Sequence, residues 1–168
     1  MSDRFDRRTF LKGAGTVALA GVAAGCSGGG GNGDGSPTDG GNGGNQTVEA
    51  PEAVATFLEG ANNYDGVVDM TGESEVAVDV GAGANGFAFG PAAVQVDAGT
   101  TISWQWTGEG GNHNVVSAAD STSDFDSGNT KQSGDPFEQS FDNTGNMLYY
   151  CEPHRQSGML GAVVVVEG

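Results

Sequence analysis

Apolar residues follow two different periods along this chain, and the change of period divides it. Within residues 51–58, PEAVATFL, Val54, Phe57 and Leu58 share one face of a short amphipathic helix, with Gly60 near its end. Beyond it the apolar positions recur every second residue. Val76, Val78 and Val80 alternate with Glu75, Ala77 and Asp79, and Ile102, Trp104 and Trp106 alternate with Thr101, Ser103 and Gln105. Alternation of this kind, rich in β-branched and aromatic residues, predicts half-buried strands. Residues 94–96, 113–117, 137–141, 147–151 and 160–166 add further short strands, separated by GAGANG, DAGT, TGEGGN and DNTGN. Four consecutive valines, Val163, Val164, Val165 and Val166, predict a last strand buried on both faces. Residues 118–135 are polar and predict a long surface connection. Seven or eight short strands in about 100 residues make the folded part all-β, a Greek-key β-sandwich or barrel preceded by a short helix.

The first 47 residues carry neither period. Arg7 and Arg8 stand before Phe10, Leu11 and Lys12, and small apolar residues fill positions 13–25. That run is too short for a bilayer span, which needs about 20 residues, but it suits the apolar stretch of a signal peptide. The arrangement resembles a twin-arginine export signal over residues 1–25. Ala23, Ala24, Gly25 and Cys26 resemble a lipobox, in which Cys26 would become the lipidated N-terminus. Ala23 departs from the usual Leu, Val or Ile, so an ordinary small-residue cleavage site is the alternative. Residues 26–47 then form a Gly-rich linker without a large apolar side chain, unable to bury a core and expected to be disordered. A flexible coil of about 20 residues spans ~25 Å, a suitable leash for a domain over residues 48–168. Asn45 opens a glycosylation sequon, a short match of little weight.

Charge narrows the function classes. Four of the six basic residues lie in the first dozen positions, leaving Lys131 and Arg155 against 20 acidic residues from Cys26 onward. No basic surface exists to neutralise phosphates, which excludes nucleic acid as a partner. So acidic a domain repels itself at low salt and is tolerated at ~1 M salt, where the Debye length is ~3 Å. The scattered carboxylates and scarce lysine point to a halophile; an acidic patch that docks a basic partner is the alternative.

The candidate chemistry sits in YYCEPHRQSGML, residues 149–160. The chain has two cysteines and two histidines. Cys151 lies three residues before His154 and eight before Met159, with Pro153 stiffening the turn between. His113 stands 38 positions upstream in GGNHNVV, where a Gly-rich loop enters a strand. In a sandwich, loops gather at the ends, so these two stretches can meet. Two imidazoles, a thiolate and a long axial thioether are the donor set of a blue copper site. The competing account buries Met159 in the core and leaves Cys151 as a small hydrophobe.

Residues from about 62 onward resemble the cupredoxins, in particular the plastocyanin-like copper proteins of halophilic archaea. FAFGPAAVQVDAGTTISWQWT (87–107), GGNHNVV (110–116) and YYCEPHRQSGMLGAVVV (149–165) carry the resemblance. It implies one copper ion, Cu(I)/Cu(II), held by His113, Cys151, His154 and Met159. It places Asn114 where a family residue ties the two ligand loops together beside the sulfur. It also implies that electrons pass at the exposed edge of His154, within a rim that includes Pro153, Leu160 and Phe87. The implied function is type 1 copper electron transfer, by a monomer exported and lipid-anchored to the outer face of the cytoplasmic membrane. Its partners would be membrane electron-transport complexes, a cytochrome-type donor and a terminal-oxidase-type acceptor.

Other metal functions meet obstacles in the sequence. Two histidines exclude a multicopper oxidase or nitrite-reductase cluster within one protomer, a structural zinc site favours two or more thiolates, and the C-x-x-C-H of a c-type haem is missing. Four protein donors leave no open position for substrate, which favours a carrier over an enzyme. A copper chaperone or storage protein of the cell envelope is the remaining alternative, distinguished by an exchangeable metal.

Overall fold

The computed structural model describes residues 46–168. Arg7, Arg8, Cys26, the Gly-rich linker to residue 45 and Asn45 lie outside the described residues, whereas Thr47, expected at the end of the disordered linker, begins the first strand. The strands form where alternation is strongest. In chain order they are β1 (Thr47–Val48), β2 (Val67–Asp69), β3 (Glu75–Ala82), β4 (Ala88–Gly90) and β5 (Ala93–Asp97), followed by β6 (Thr101–Trp106), β7 (Val116–Ser117), β8 (Phe137–Ser140), β9 (Gly145–Tyr150) and β10 (Leu160–Val166). Helix α1 (Glu52–Phe57) lies between β1 and β2, and a 3₁₀ helix, Glu152–Ser157, joins β9 to β10.

These strands build two sheets, one of order β1-β2-β5-β10-β9-β7 and one of order β4-β3-β6-β8. Strand β10 runs parallel to β5 and antiparallel to β9, while β3 runs parallel to β6. Inward residues of both sheets meet in one core that includes Val76, Val78, Val80, Val94, Ile102, Trp104, Val163 and Val165. The valine run is explained by what lies on the other side. Ala162 and Val164 of β10 pack with Val54 and Leu58 beneath α1, so the helix covers the sheet's outer face. Both faces of β10 are therefore apolar, as a central strand with covered faces requires.

Four expectations need correction. The described residues hold ten strands, more than the seven or eight expected, because short pieces such as β1, β2 and β4 carry too few residues to show a period. Residues 113–115 are not part of a strand: β7 is only Val116–Ser117, and His113 makes an isolated antiparallel bridge to Lys131. Likewise Cys151 falls just past β9 and caps the 3₁₀ helix. The connection over residues 118–135 is not wholly superficial. Phe125 drops from it into the core, 7 % exposed, and stacks on Trp104 with ring centroids 5.6 Å apart. An isolated Phe in a polar run shows no period, yet burying a large apolar side chain stabilises by ~2–3 kcal/mol.

Candidate metal centre

His113 and Cys151 come from different parts of the chain and are brought together at one end of the sandwich. The His113 segment is fixed by its backbone. Its N–H donates to the Lys131 carbonyl and its own carbonyl accepts the Lys131 N–H, both at 2.9 Å. The same carbonyl accepts the Trp106 indole Nε1–H at 3.1 Å. The Gly-rich approach to it has a steric purpose. A Cβ on Gly110 would lie 2.6 Å from the Gly86 carbonyl carbon, so two loops touch backbone to backbone at a place where only glycine fits.

The second ligand-bearing segment closes on itself. Pro153 sits in the first turn of the 3₁₀ helix and Gly158 ends it at φ 84°, in the left-handed region. The Met159 N–H then donates to the His154 carbonyl at 3.1 Å, and the Cys151 N–H donates to the Met159 carbonyl at 3.1 Å. Met159 is fully buried. The backbone thus returns Met159 to the neighbourhood of Cys151 and His154.

Three donor atoms converge. Cys151 Sγ lies 3.6 Å from His113 Nδ1 and 3.4 Å from His154 Nδ1, and the two Nδ1 atoms are 3.0 Å apart. His113 Nε2 lies 2.8 Å from the Glu109 carbonyl. A carbonyl can only accept, so Nε2 carries the proton and Nδ1 faces the other donors with a bare lone pair. Sides of these lengths leave a point about 2 Å from all three atoms in their plane. That matches metal–imidazole bonds of ~2.0–2.1 Å and is a little short of a metal–thiolate bond of ~2.3 Å. The donor set and its spacing fit a metal ion, and a soft thiolate with two imidazoles fits copper.

The surroundings of the triangle are unequal. Cys151 and His113 are buried, whereas His154 is partly exposed. Burial pushes the Cys151 thiol above its ordinary pKa, the backbone N–H groups of Asn114 and His154 oppose that, and the Glu152 carboxylate adds to it. Burial, then the neighbouring His113, pushes His154 below the usual imidazole range. Both directions oppose charge in the metal-free site.

Asn114, 2 % exposed, joins the two segments: its Nδ2 donates to Glu152 Oε2 at 2.6 Å and its Oδ1 accepts the Glu152 N–H at 2.9 Å. Phe87 stacks on the His154 ring, centroids 4.5 Å apart and planes 21° apart. Of the other rim residues, Leu160 is partly buried and Pro153 exposed. Sequence reasoning missed Glu109, Trp106, Glu152 and Asn62. Their contributions run through a backbone carbonyl, an indole N–H or a cross-loop hydrogen bond, none of which leaves a periodic or spacing signal. Glu152 alone had a cue, being an acidic residue directly after the cysteine.

The family profile described as copper binding proteins, plastocyanin/azurin family, matches residues 76–166. The chain belongs to this family of copper-binding proteins. It is 49 % identical over 163 residues to halocyanin of Natronomonas pharaonis, covering 95 % of this chain and 96 % of that protein. It is 31 % identical over 98 residues to plastocyanin of Scenedesmus fuscus, covering 54 % of this chain and 99 % of that one. Among solved structures, pseudoazurin of Methylobacterium extorquens AM1 is 28 % identical with a TM-score of 0.44, covering 56 % of this chain and 76 % of that one. This halocyanin-like cupredoxin therefore has copper as its cofactor, and its family is that of blue copper proteins, consistent with electron transfer.

Proposed function

We propose that this cupredoxin carries single electrons, with one copper ion that His113 Nδ1, Cys151 Sγ, His154 Nδ1 and the Met159 thioether would hold. The observation that carries the proposal is the convergence of three donor atoms with sides of 3.0, 3.4 and 3.6 Å. Bound copper supplies a one-electron Cu(I)/Cu(II) couple. To hold the ion Cys151 would have to be a thiolate, against the burial that favours the thiol, and the Asn114 N–H would steady that thiolate. Asn114 and Glu152 keep the two donor segments in register, which limits rearrangement when the charge at the site changes. His154 combines a donor nitrogen inside with a partly exposed ring outside, and Phe87 lies flat against it. That edge, rimmed by Pro153 and Leu160, is the exit for electrons. Four protein donors would leave a bound ion no open position for substrate, which favours a carrier over an enzyme.

The sequence signals support a location at the membrane. Arg7 and Arg8 direct export, residues 1–25 are the signal, and a lipid on Cys26 anchors the linker ahead of β1 to the outer face of the cytoplasmic membrane. From there a monomeric domain that begins with β1 exchanges electrons with membrane complexes, a cytochrome-type donor and a terminal-oxidase-type acceptor. Small, short-lived interfaces suit such encounters.

Absorption and electron paramagnetic resonance spectra of the oxidised, copper-loaded protein test the site. An intense visible thiolate-to-copper band with a narrow parallel hyperfine splitting is expected, and Cys151→Ser removes the band. A serine variant that stays blue would sink the ligand assignment. Rapid loss of copper to a mild chelator would favour a copper chaperone or store instead. Cys26→Ser should release the protein from membranes.

A further inference from the structure

Residue 62 lies outside the stretch that the copper-binding family profile matches, residues 76–166, and behind α1 in the chain. Its hydrogen bonds nevertheless end on both halves of the outer metal site. Asn62 Nδ2 donates to the Phe87 carbonyl at 2.8 Å and to the Ser157 carbonyl at 2.6 Å, and its backbone N–H donates to the Gly158 carbonyl at 2.8 Å. One carboxamide therefore spans residues 25 and 95 positions away. Phe87 carries the ring stacked on His154. Ser157 and Gly158 close the 3₁₀ helix that carries His154 and leads into Met159.

Approach here is close. A Cβ on Gly158 would lie 2.9 Å from the Gly60 carbonyl oxygen and 3.3 Å from the Asn62 side chain, so residues 60–62 press directly on the end of the ligand segment. The adjacent Asn63 provides a contrast. Its Nδ2 donates only to the Phe89 carbonyl, at 2.9 Å, on the strand beyond Phe87. No other described side chain is hydrogen-bonded to both the Phe87 and the Ser157 carbonyls.

We infer that Asn62 is a positioning residue of the copper site, holding the Phe87 ring against His154 by bonding both segments at once. It acts through Phe87 and the 3₁₀ helix and touches no donor atom itself. The inference rests on the electron-carrier proposal above for its functional meaning. Physically, a stacked ring pair at the exit edge stays in register only while the two backbones beneath it are fixed relative to each other. The two side-chain bonds of Asn62 supply that link. The amide is suited to it because both targets are carbonyls, and only a side chain with two N–H groups can serve both at once.

The test compares wild type, Asn62→Ala and the control Asn63→Gly, which removes the neighbouring bond while tolerating the Asn63 φ of 62°. In the copper-free protein, hydrogen exchange of the Gly158 and Met159 amides should quicken about five-fold or more in Asn62→Ala, the effect of losing one net hydrogen bond or more. The ring-current shifts that Phe87 and His154 impose on each other should shrink in the same variant. In the copper-loaded protein the electron self-exchange rate should fall several-fold, while Asn63→Gly leaves all three readouts at wild-type values. Should Asn62→Ala fail to fold, Asn62→Asp retains the shape, lacks both donors, and is expected to show the same changes. Wild-type ring-current shifts, amide exchange and self-exchange in the folded variant would overturn the inference. A wild type that takes up no copper would instead overturn the electron-carrier proposal, leaving the copper-free readouts to decide the role of Asn62.

Discussion

Asn114 and Glu152 are the direct link between the two donor segments, and their coupling can be estimated from the contacts. Asn114 is buried, and its Nδ2–Oε2 bond to the Glu152 carboxylate, at 2.6 Å, is charge-assisted. Such bonds contribute ~1.5–3 kcal/mol, with the lower end fitting the exposed Glu152. The second bond, from the Glu152 N–H to Asn114 Oδ1 at 2.9 Å, adds about 1 kcal/mol. Asn114→Ala removes both and should cost about 3 kcal/mol. Glu152→Ala removes only the first and should cost about 1–2 kcal/mol. At ~3–6 °C per kcal/mol for a domain of this size, the Asn114 variant should melt roughly 10 °C lower. The assay is a double-mutant cycle on the copper-free protein by denaturant unfolding in concentrated salt, where screening of exposed charges is already complete. A coupling of about 1 kcal/mol or more between the two positions is expected. Additivity within ~0.3–0.5 kcal/mol would show that the contact does not join the segments and refute the reasoning. In the copper-loaded Asn114 variant the spectroscopic signature of the thiolate should shift, because the backbone N–H that steadies Cys151 Sγ belongs to the same residue.

Three further outcomes follow from other contacts. Tyr149 is fully buried, and neither its hydroxyl nor the Trp104 indole Nε1 makes a hydrogen bond of good geometry, the two groups interacting only weakly with each other, so Tyr149→Phe should stabilise the fold by about 1 kcal/mol by thermal unfolding; destabilisation would show that the phenol–indole contact is a full hydrogen bond. Burial also raises the Tyr149 pKa above 10.0, so its contribution to stability is full below pH 10 and is lost at higher pH, a loss that Tyr149→Phe should remove. Gly110→Ala should destabilise by about 2 kcal/mol or more, through its φ of 73° and its approach to the Gly86 backbone, whereas Gly111→Ala, with open space around it, should pay only the backbone strain of ~1–2 kcal/mol; equal melting points would refute the close approach. Cys151 has its thiol pKa raised above 9.0 by burial, so copper-free protein should lose stability as pH rises past 9, and Cys151→Ala should abolish that part of the loss in a pH series of unfolding curves.

Much of this protein was decided at the level of residue pattern. Period-two alternation placed β3 and β6, the valine run placed a doubly covered β10, and the apolar face of residues 51–58 placed α1. These are consequences of burying one or both faces of an element, and burial leaves a periodic trace. The four candidate donors were legible for a different reason: a metal site needs specific, uncommon side chains, and with two histidines in the chain the choices were few. Tertiary structure alone decided the rest. The loop over residues 118–135 looked superficial because one inward Phe125 makes no period, and Cys151 looked like a strand residue because the turn into the 3₁₀ helix is set by backbone bonds to Met159 and His154. The supports of the site, Glu109, Trp106, Glu152 and Asn62, act across 4 to 95 positions of sequence through single carbonyls or amides. A hydrogen bond depends on where two atoms end up in space, and nothing in the order of residues records that distance until the chain has folded.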